Sequence, residues 1–506
     1  MVLPPLFDPS LAPDLGPGDE LIDVNARFIA RLAGPGALAG LAEDYALGRR
    51  GGTDPAEDRT KALFARAAAR VTARGGRSAG RLRAVGMALR LAGEADPALR
   101  LAADDVELVG GTTERGADVV RAAERTGLLG PELRWARTAV PDGRAHLLIE
   151  TDQQLPAAAA LLTALGPERV VLCGRFAVAH REALRALAPF SAAGFEDWTP
   201  AWRLGEEWSG DGTPVRWVRR AADWRAGGPW AGWLAPDEAA ALPAEAWRDC
   251  RGAALTVARL ASWAEVTGAD GGRTDLRAVL AAADGAPLRV ELLVGAPGVS
   301  AEETGASARS LLSGPGPGLA GLSPFRLPAV RAGAAVRAGD GAPAAGDGAP
   351  QTWDGAPQTW DGVPLTRHPA PEHDLPRWDR FSAPGTLDDT ARAAAIGVLN
   401  AELGAVAELF PGRFACCVLA EPDRTPVWEP SAAVVAEEGP GPDDRGPGSF
   451  VVNLRAGSAF RLHPKLTPVV ERLASGDTAV LDRIGDGVRR KLTDRLVQAG
   501  VMRRDQ

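Results

Sequence analysis

The chain has 506 residues, 45% of them hydrophobic, and a formal net charge of −8. This length and apolar content predict two to four domains with sizeable cores, and the negative balance without a basic face argues against a general nucleic-acid binder. The four scattered cysteines, Cys173, Cys250, Cys416 and Cys417, give no disulfide framework. The N-terminal stretch lacks signal-peptide character and no run of about 18 apolar residues occurs, so the expectation is a cytoplasmic protein without a membrane partner.

Residues 1–135 read as largely helical, with apolar residues at helical spacing over Asp58–Ala73 and Ala79–Ala92. Leu21–Leu32, LIDVNARFIARL, reads as a short strand continuing into a helix. From 144 to 195 the pattern becomes strand (RAHLLIETD), helix (QLPAAAALLTALG, closed by Gly166), strand (ERVVLCGRFAV) and helix (AHREALRALAPF). Short links between them predict parallel pairing in a doubly wound layer. Residues 196–263 hold nine of the fourteen tryptophans: Trp198, Trp202, Trp208, Trp217, Trp224, Trp230, Trp233, Trp247 and Trp263. Packing is their expected role, with an aromatic pocket as the alternative. Residues 253–328 return to alternating elements. Among them are the strand LRVELLVGAPG with a Gly-x-Pro-Gly turn, a helix N-capped by Ser300 with Glu303 in a capping-box pattern, and the strand LAGLSPFRLP.

Residues 331–371 are of low complexity. A seven-residue unit recurs as DGAPAAG from Asp340, DGAPQTW from Asp347 and again from Asp354, then DGVP from Asp361. Its Asp-Gly and Ala-Pro pairs predict a tolerant loop grown by tandem duplication; a Trp-bearing recognition motif is the alternative. A helix over 387–411, a strand RFACCVLA and a Pro/Gly-rich linker over Glu437–Gly448 follow. The tail from Ser449 predicts two strands, FVVNL and AFRLH, then helices from about Lys465, Thr478 and Val488.

Motifs that carry chemistry are sparse. None of the five histidines forms HExxH or a close Cys–His set, so no zinc site is expected. His368 and His373 share RHPAPEHD with Glu372 and Asp374, a donor set that suits a metal but is broken by prolines. His180 opens a helix and reads as a surface or capping residue. Cys416 and Cys417 read as small buried residues. No GxSxG, Walker loop or GxGxxG occurs, and the prolines of Gly314–Gly318 remove N–H groups that a phosphate cradle needs.

Three stretches resemble cobalamin-dependent radical S-adenosylmethionine (radical SAM) proteins that mature ribosomally made peptides. They are PPLFDPSLAPDLGPG with LIDVNARFI, LLIETDQQLPAAAALLTALGPERVVLCGRFAVAHREAL, and VELLVGAPGVSAEET. The resemblance places Cys173 and Gly174 at a strand-end turn of the cobalamin region, and cobalamin is the cofactor it leaves open. The family's CxxxCxxC loop is absent, so no [4Fe–4S] cluster and no radical step are expected, and no catalytic or metal residue is assigned. The tail resembles a small winged-helix domain that holds precursor leader peptides as an added strand. That implies peptide contacts at Val452, Leu454, Phe460, Leu462, Arg489 and Arg490. Arg489, Arg490, Lys491 and Arg495 are balanced by Asp482, Asp486 and Asp494, which suits a solvated helix face or a peptide groove before DNA.

The expected fold is α/β and multidomain. A cobalamin-binding-like, doubly wound domain spans 1–195, and a Trp-rich segment with a shortened, partial TIM-barrel-like region spans 196–330. The repeat loop covers 331–371, a barrel-completing helix and strand 372–436, the linker 437–448 and a winged-helix-like domain 449–506. The expected function is that of a degenerate accessory protein in peptide maturation. It would bind a precursor leader, a catalytic radical SAM partner, or both. The alternatives are an active cobalamin- or S-adenosylmethionine-binding enzyme without the cluster, and a winged-helix DNA-binding regulator.

Overall fold

The computed structural model describes all residues except 17, 51–53, 75–78, 103–104, 206–212, 314–316, 330–357, 404–427, 438–444 and 503–506. The expected strand RFACCVLA with Cys416 and Cys417, Trp208, and all but the end of the repeat lie outside the described residues.

Strands β1 (Val2–Leu3), β2 (Leu11–Asp14) and β3 (Ile22–Asp23) open the chain. Four helices follow: α1 (Val24–Ala33), α2 (Pro35–Ala46), α3 (Pro55–Ala73) and α4 (Ala79–Gly93). Strand runs into helix within LIDVNARF because the Asp23 carboxylate accepts a hydrogen bond from the Ala26 N–H and caps α1. After a short hairpin come α5 (Gly116–Arg125) and α6 (Gly130–Ala139). The alternating segment then supplies β4 (Ala145–Leu148), α7 (Leu155–Leu165), β5 (Val170–Cys173) and β6 (Gly194–Phe195). Gly166, at φ +89°, ends α7 as expected.

These strands form a parallel sheet in the order β3-β1-β4-β5-β6. The strand order reverses between β1 and β4; the helices pack on one face, and Leu3, Leu148 and Cys173 on the other face meet Trp202 and Trp217. Phe28, Leu63, Leu91, Leu161 and Leu172 fill the core between sheet and helices.

A second sheet has the order β12-β11-β10-β9-β8-β7-β2. Its strands are β7 (Ala201–Leu204), β8 (Arg216–Val218), β9 (Trp230–Leu234), β10 (Cys250–Val257), β11 (Leu288–Val294) and β12 (Gly318–Pro324), with β2 from the N-terminus at the edge. β8 to β12 are parallel and adjacent in chain order, whereas β7 runs antiparallel to both its neighbours, β8 and β2. The tryptophans mostly pack. Trp230 and Trp247 meet edge to face at 5.4 Å on one side of this sheet. Trp202 and Trp217 are buried on the other, with Leu3, Leu148 and Cys173 of the first sheet. Helix α8 (Ala301–Ser313) links β11 to β12, and its Glu303 N–H donates to Ser300 Oγ at 3.0 Å.

The end of the repeat is no loop. Residues 358–368 form an antiparallel hairpin of β13 (Gln358–Trp360) and β14 (Val363–His368), which continues to β15 (Trp378–Ser382). The Asp-Gly pair that reads as a breaker is its tight turn, with positive φ at Asp361 and Gly362. Helix α9 (Asp389–Glu402) packs on β11 and β12. The C-terminal unit is a sheet of β16 (Ala432–Glu437), β17 (Gly448–Asn453) and β18 (Ser458–Leu462) with helices α10 (Thr467–Ala474) and α11 (Asp486–Gln498). Two corrections follow. The unit takes its first strand from before the 437–448 linker, and the segment expected as a helix near Thr478 is a 3₁₀ turn over Thr478–Arg483. Among the described residues no helix is long and apolar enough to cross a membrane.

Candidate peptide-binding edge

Alternation along β16 to β18 gives the small sheet two apolar faces. Ala432, Val434, Val451 and Leu462 face α10 and α11, in one core with Val470, Leu473, Leu492 and Leu496. Ala433, Val435, Phe450 and Val452 face the large helical core instead. Helix α3 covers that second face and places Arg66, Arg70 and Arg74, four residues apart, along the outer edge of β16. Arg74 Nη1 donates to the Ala432 carbonyl at 2.9 Å, Arg70 Nη1 donates to the Val434 carbonyl, and Arg66 pairs with Glu437. The β16 edge is therefore closed to another strand.

The carbonyls held by Arg74 and Arg70 also set the ladder's phase. Ala432 and Val434 direct their backbone groups away from β17, so Ala433 and Val435 exchange hydrogen bonds with Val452 and Phe450. Val451 and Asn453 then point toward β18, opposite Phe460 and Ser458. That leaves the backbone N–H and C=O of Ala459 and Arg461 directed outward. Among the described residues no strand pairs with this edge. Helix α11 lies beside it, with the Arg495 guanidinium 5.2 Å from the Phe460 ring centroid.

The sequence-derived peptide contacts divide accordingly. Phe460, partly buried, and Leu462, 4% exposed, lie on β18 against the α10–α11 core. Val452 and Leu454 lie in the core against α3, at 0% and 7% exposure, away from the open edge. Arg489 is tied to Asp482 at 3.2 Å and Asp486 at 2.9 Å, and Arg490 is exposed on α11. Sequence reasoning missed the arginines of α3 and the two outward residues of β18. The four-residue spacing of Arg66, Arg70 and Arg74 was a visible signal.

Cys173 and Gly174 end β5, and both are buried. The thiol faces the layer between the two sheets, and burial, then Glu150 and Glu196, pushes it up to about 12. Gly174 has φ +95°, and a Cβ there would stand 2.5 Å from the Ile149 carbonyl oxygen. Its N–H donates to the Trp198 carbonyl at 2.8 Å. The adjoining strand end is filled by Glu150, whose carboxylate accepts from Arg175 Nε at 3.0 Å and Arg219 Nη1 at 3.4 Å. Burial alone would raise this carboxyl; Arg175 and Arg219 outweigh it and hold it below its ordinary value. A corrin ring does not fit against Cys173 and Gly174, so no role for cobalamin is derived from them.

The histidines are drawn apart. His373 Nδ1 pairs with Glu114 at 2.8 Å, while His368 Nε2 meets Ser382 Oγ at 2.8 Å. His180 corrects its surface assignment: it is 7% exposed, stacked on Phe176 at 3.8 Å, with Nε2 3.2 Å from the Pro376 carbonyl. It does occupy the N-cap position of the short helix Arg181–Arg185. One further buried group is Glu291 on β11. Burial raises its carboxyl, while Ser323 and Thr256 hydroxyls donate to it and Trp233 Nε1 donates to Thr256 Oγ1.

No protein-family model, curated protein or solved structure matches this chain.

Proposed function

We propose that this chain is an accessory protein of peptide maturation. It captures the leader of a ribosomally made precursor as a fourth strand on β18, and presents it to a catalytic radical SAM partner. One observation carries the reading: α3 seals the β16 edge, while among the described residues no strand pairs with the β18 edge beside α11, toward which Ala459 directs its backbone. An extended peptide gains affinity from main-chain hydrogen bonds at such an edge and register from alternate side chains. The strand orders support the finer architecture. The reversal between β1 and β4 suits a cobalamin-domain-like layer, five parallel strands in chain order suit a partial barrel, and three strands followed by helices suit a winged-helix-like unit. The absence of CxxxCxxC from the sequence leaves the radical step to the partner.

The test is binding of fluorescein-labelled leader peptides of ribosomally made precursors to the full-length protein. Ala459→Pro removes an outward N–H without touching the β17 ladder. Binding should fall at least tenfold in this variant and persist in Arg490→Ala within a few-fold. Equal binding by wild type and Ala459→Pro refutes strand addition. Salt-sensitive binding of duplex DNA in place of the peptide would favour the regulator instead.

A further inference from the structure

The hairpin at the end of the repeat occupies a particular place. Strands β10, β11 and β12 are parallel, and their C-terminal ends lead into Ala258, Ala296 and Phe325. Parallel α/β folds bind their ligands at such ends. Here Trp360 fills the position. Its side chain is 2% exposed, in one cluster with Ala258, Leu293, Ala296 and Val299, and it meets Phe325 edge to face at 5.3 Å. Its Nε1 donates to the Ala269 carbonyl at 3.0 Å. The next residue, Asp361, has a side chain 2% exposed, and its carboxylate accepts from Arg259 Nη1 at 3.3 Å and from Arg273 Nε.

Two glycines shape the walls around this turn. A Cβ at Gly298 would stand 2.9 Å from Val363 Cγ2, and one at Gly271 would stand 3.0 Å from Trp360 Cδ1. Gly298 belongs to the Gly-x-Pro-Gly turn after β11. The site thus combines an apolar slot with a few fixed polar groups, as small-ligand pockets do. The sequence also carries the unit twice, as QTWDGAP at 351–357 and QTWDGVP at 358–364, differing only at Val363.

We propose that this strand-end pocket is a binding site for a Trp-Asp-Gly peptide turn, and that residues 360–362 fill it as a ligand supplied by the chain itself. The indole takes the slot, the carboxylate takes the two guanidinium groups, and the glycine allows the turn. Covalent linkage gives the internal ligand a high effective concentration, so an external turn is excluded until the internal one is weakened.

The test uses the full chain and the labelled peptide QTWDGVPL. The Trp360→Ala/Asp361→Ala variant should bind it at least tenfold more tightly than wild type. Adding Arg273→Ala should weaken that binding about tenfold, and a peptide with alanine for tryptophan should not bind. A variant with wild-type circular dichroism that does not bind, or that binds no better than wild type, overturns the proposal. So does Trp353→Ala admitting the peptide as readily as Trp360→Ala. Should the double variant not fold, isosteric Asp361→Asn takes its place. It should admit the peptide several-fold better than wild type and speed amide exchange over 360–365 about tenfold; no change in either overturns the proposal.

Discussion

Replacing Arg219 with Met should loosen the first sheet by a predictable amount. The Glu150 side chain is 0% exposed and Arg219 is 14% exposed, so the substitution strands a carboxylate out of water with Arg175 as its remaining cation. Breaking a buried ion pair costs about 3–5 kcal/mol. The retained Arg175 contacts and the 3.4 Å Arg219 distance bring the expected loss toward about 2 kcal/mol. At about 1.4 kcal/mol per decade, opening of β4 and β5 becomes roughly 30-fold more frequent. Native-state hydrogen exchange over 145–177 reads this locally, without assuming two-state unfolding of a chain with several units. Adding Glu150→Gln removes the stranded charge, so the double variant should recover at least about 1 kcal/mol relative to additivity; additivity within about 0.5 kcal/mol refutes the coupling. The pH dependence has a fixed sign. Glu150 lies below its ordinary value when folded, so its contribution is full above the unfolded carboxyl value of about 4.3 and fades as pH falls through the folded value. The deficit of Arg219→Met should therefore shrink in acid.

Other outcomes follow from single features. Burial raises the Glu291 carboxyl, so its stabilising, protonated state is full below the unfolded value and lost as pH rises through the folded one. Glu291→Gln keeps the protonated shape, and its Tm should fall less than that of wild type as pH rises above the unfolded carboxyl value of about 4.3; parallel curves refute the assignment. Arg70→Ala with Arg74→Ala leaves the Ala432 and Val434 carbonyls without their guanidinium donors, each such bond being worth about 1.5–3 kcal/mol. Sedimentation should then show concentration-dependent self-association through the bared β16 edge, and an unchanged sedimentation coefficient counts against the seal. Gly174→Ala places a methyl 2.5 Å from the Ile149 oxygen at φ +95°; thermal melting should report a loss of at least about 1–3 kcal/mol.

The parallel strand–helix segment was legible because its strands and helices alternate at short range. LLIETD, the alanine-rich helix closed by Gly166 and VVLC each carry a local signal, and the chain order implies their pairing. The entry of β1, β2 and β3 into two different sheets was not legible, since each is two to four residues long and is defined by distant partners. β16 was missed because the Pro/Gly-rich linker reads as a boundary, although a strand on each side of such a linker pairs without penalty beyond loop closure. The end of the repeat was misjudged for a related reason. Asp-Gly breaks a helix but makes a type of hairpin turn, and whether QTWDGVP is ordered depends on the slot that Phe325, Ala296 and Ala269 build from elsewhere in the chain.

The open edge of β18 gains weight from what closes the other candidate positions. At the end of β5, the Trp198 carbonyl and the Glu150 cluster fill the space. At the ends of β10 to β12, Trp360 and Asp361 fill it. On the layer between the sheets, Trp202, Trp217 and Leu148 pack together. At the outer edge of β16, α3 supplies guanidinium groups to the outward carbonyls of Ala432 and Val434. Each closure uses the chain's own groups, and each removes backbone or apolar surface that would otherwise attract a partner. On β18 no described strand pairs with the outer edge, toward which Ala459 directs its backbone. An edge that is merely tolerated is normally blunted by proline, a bulge or a covering element. The β18 edge lies beside α11, the arrangement that strand addition uses.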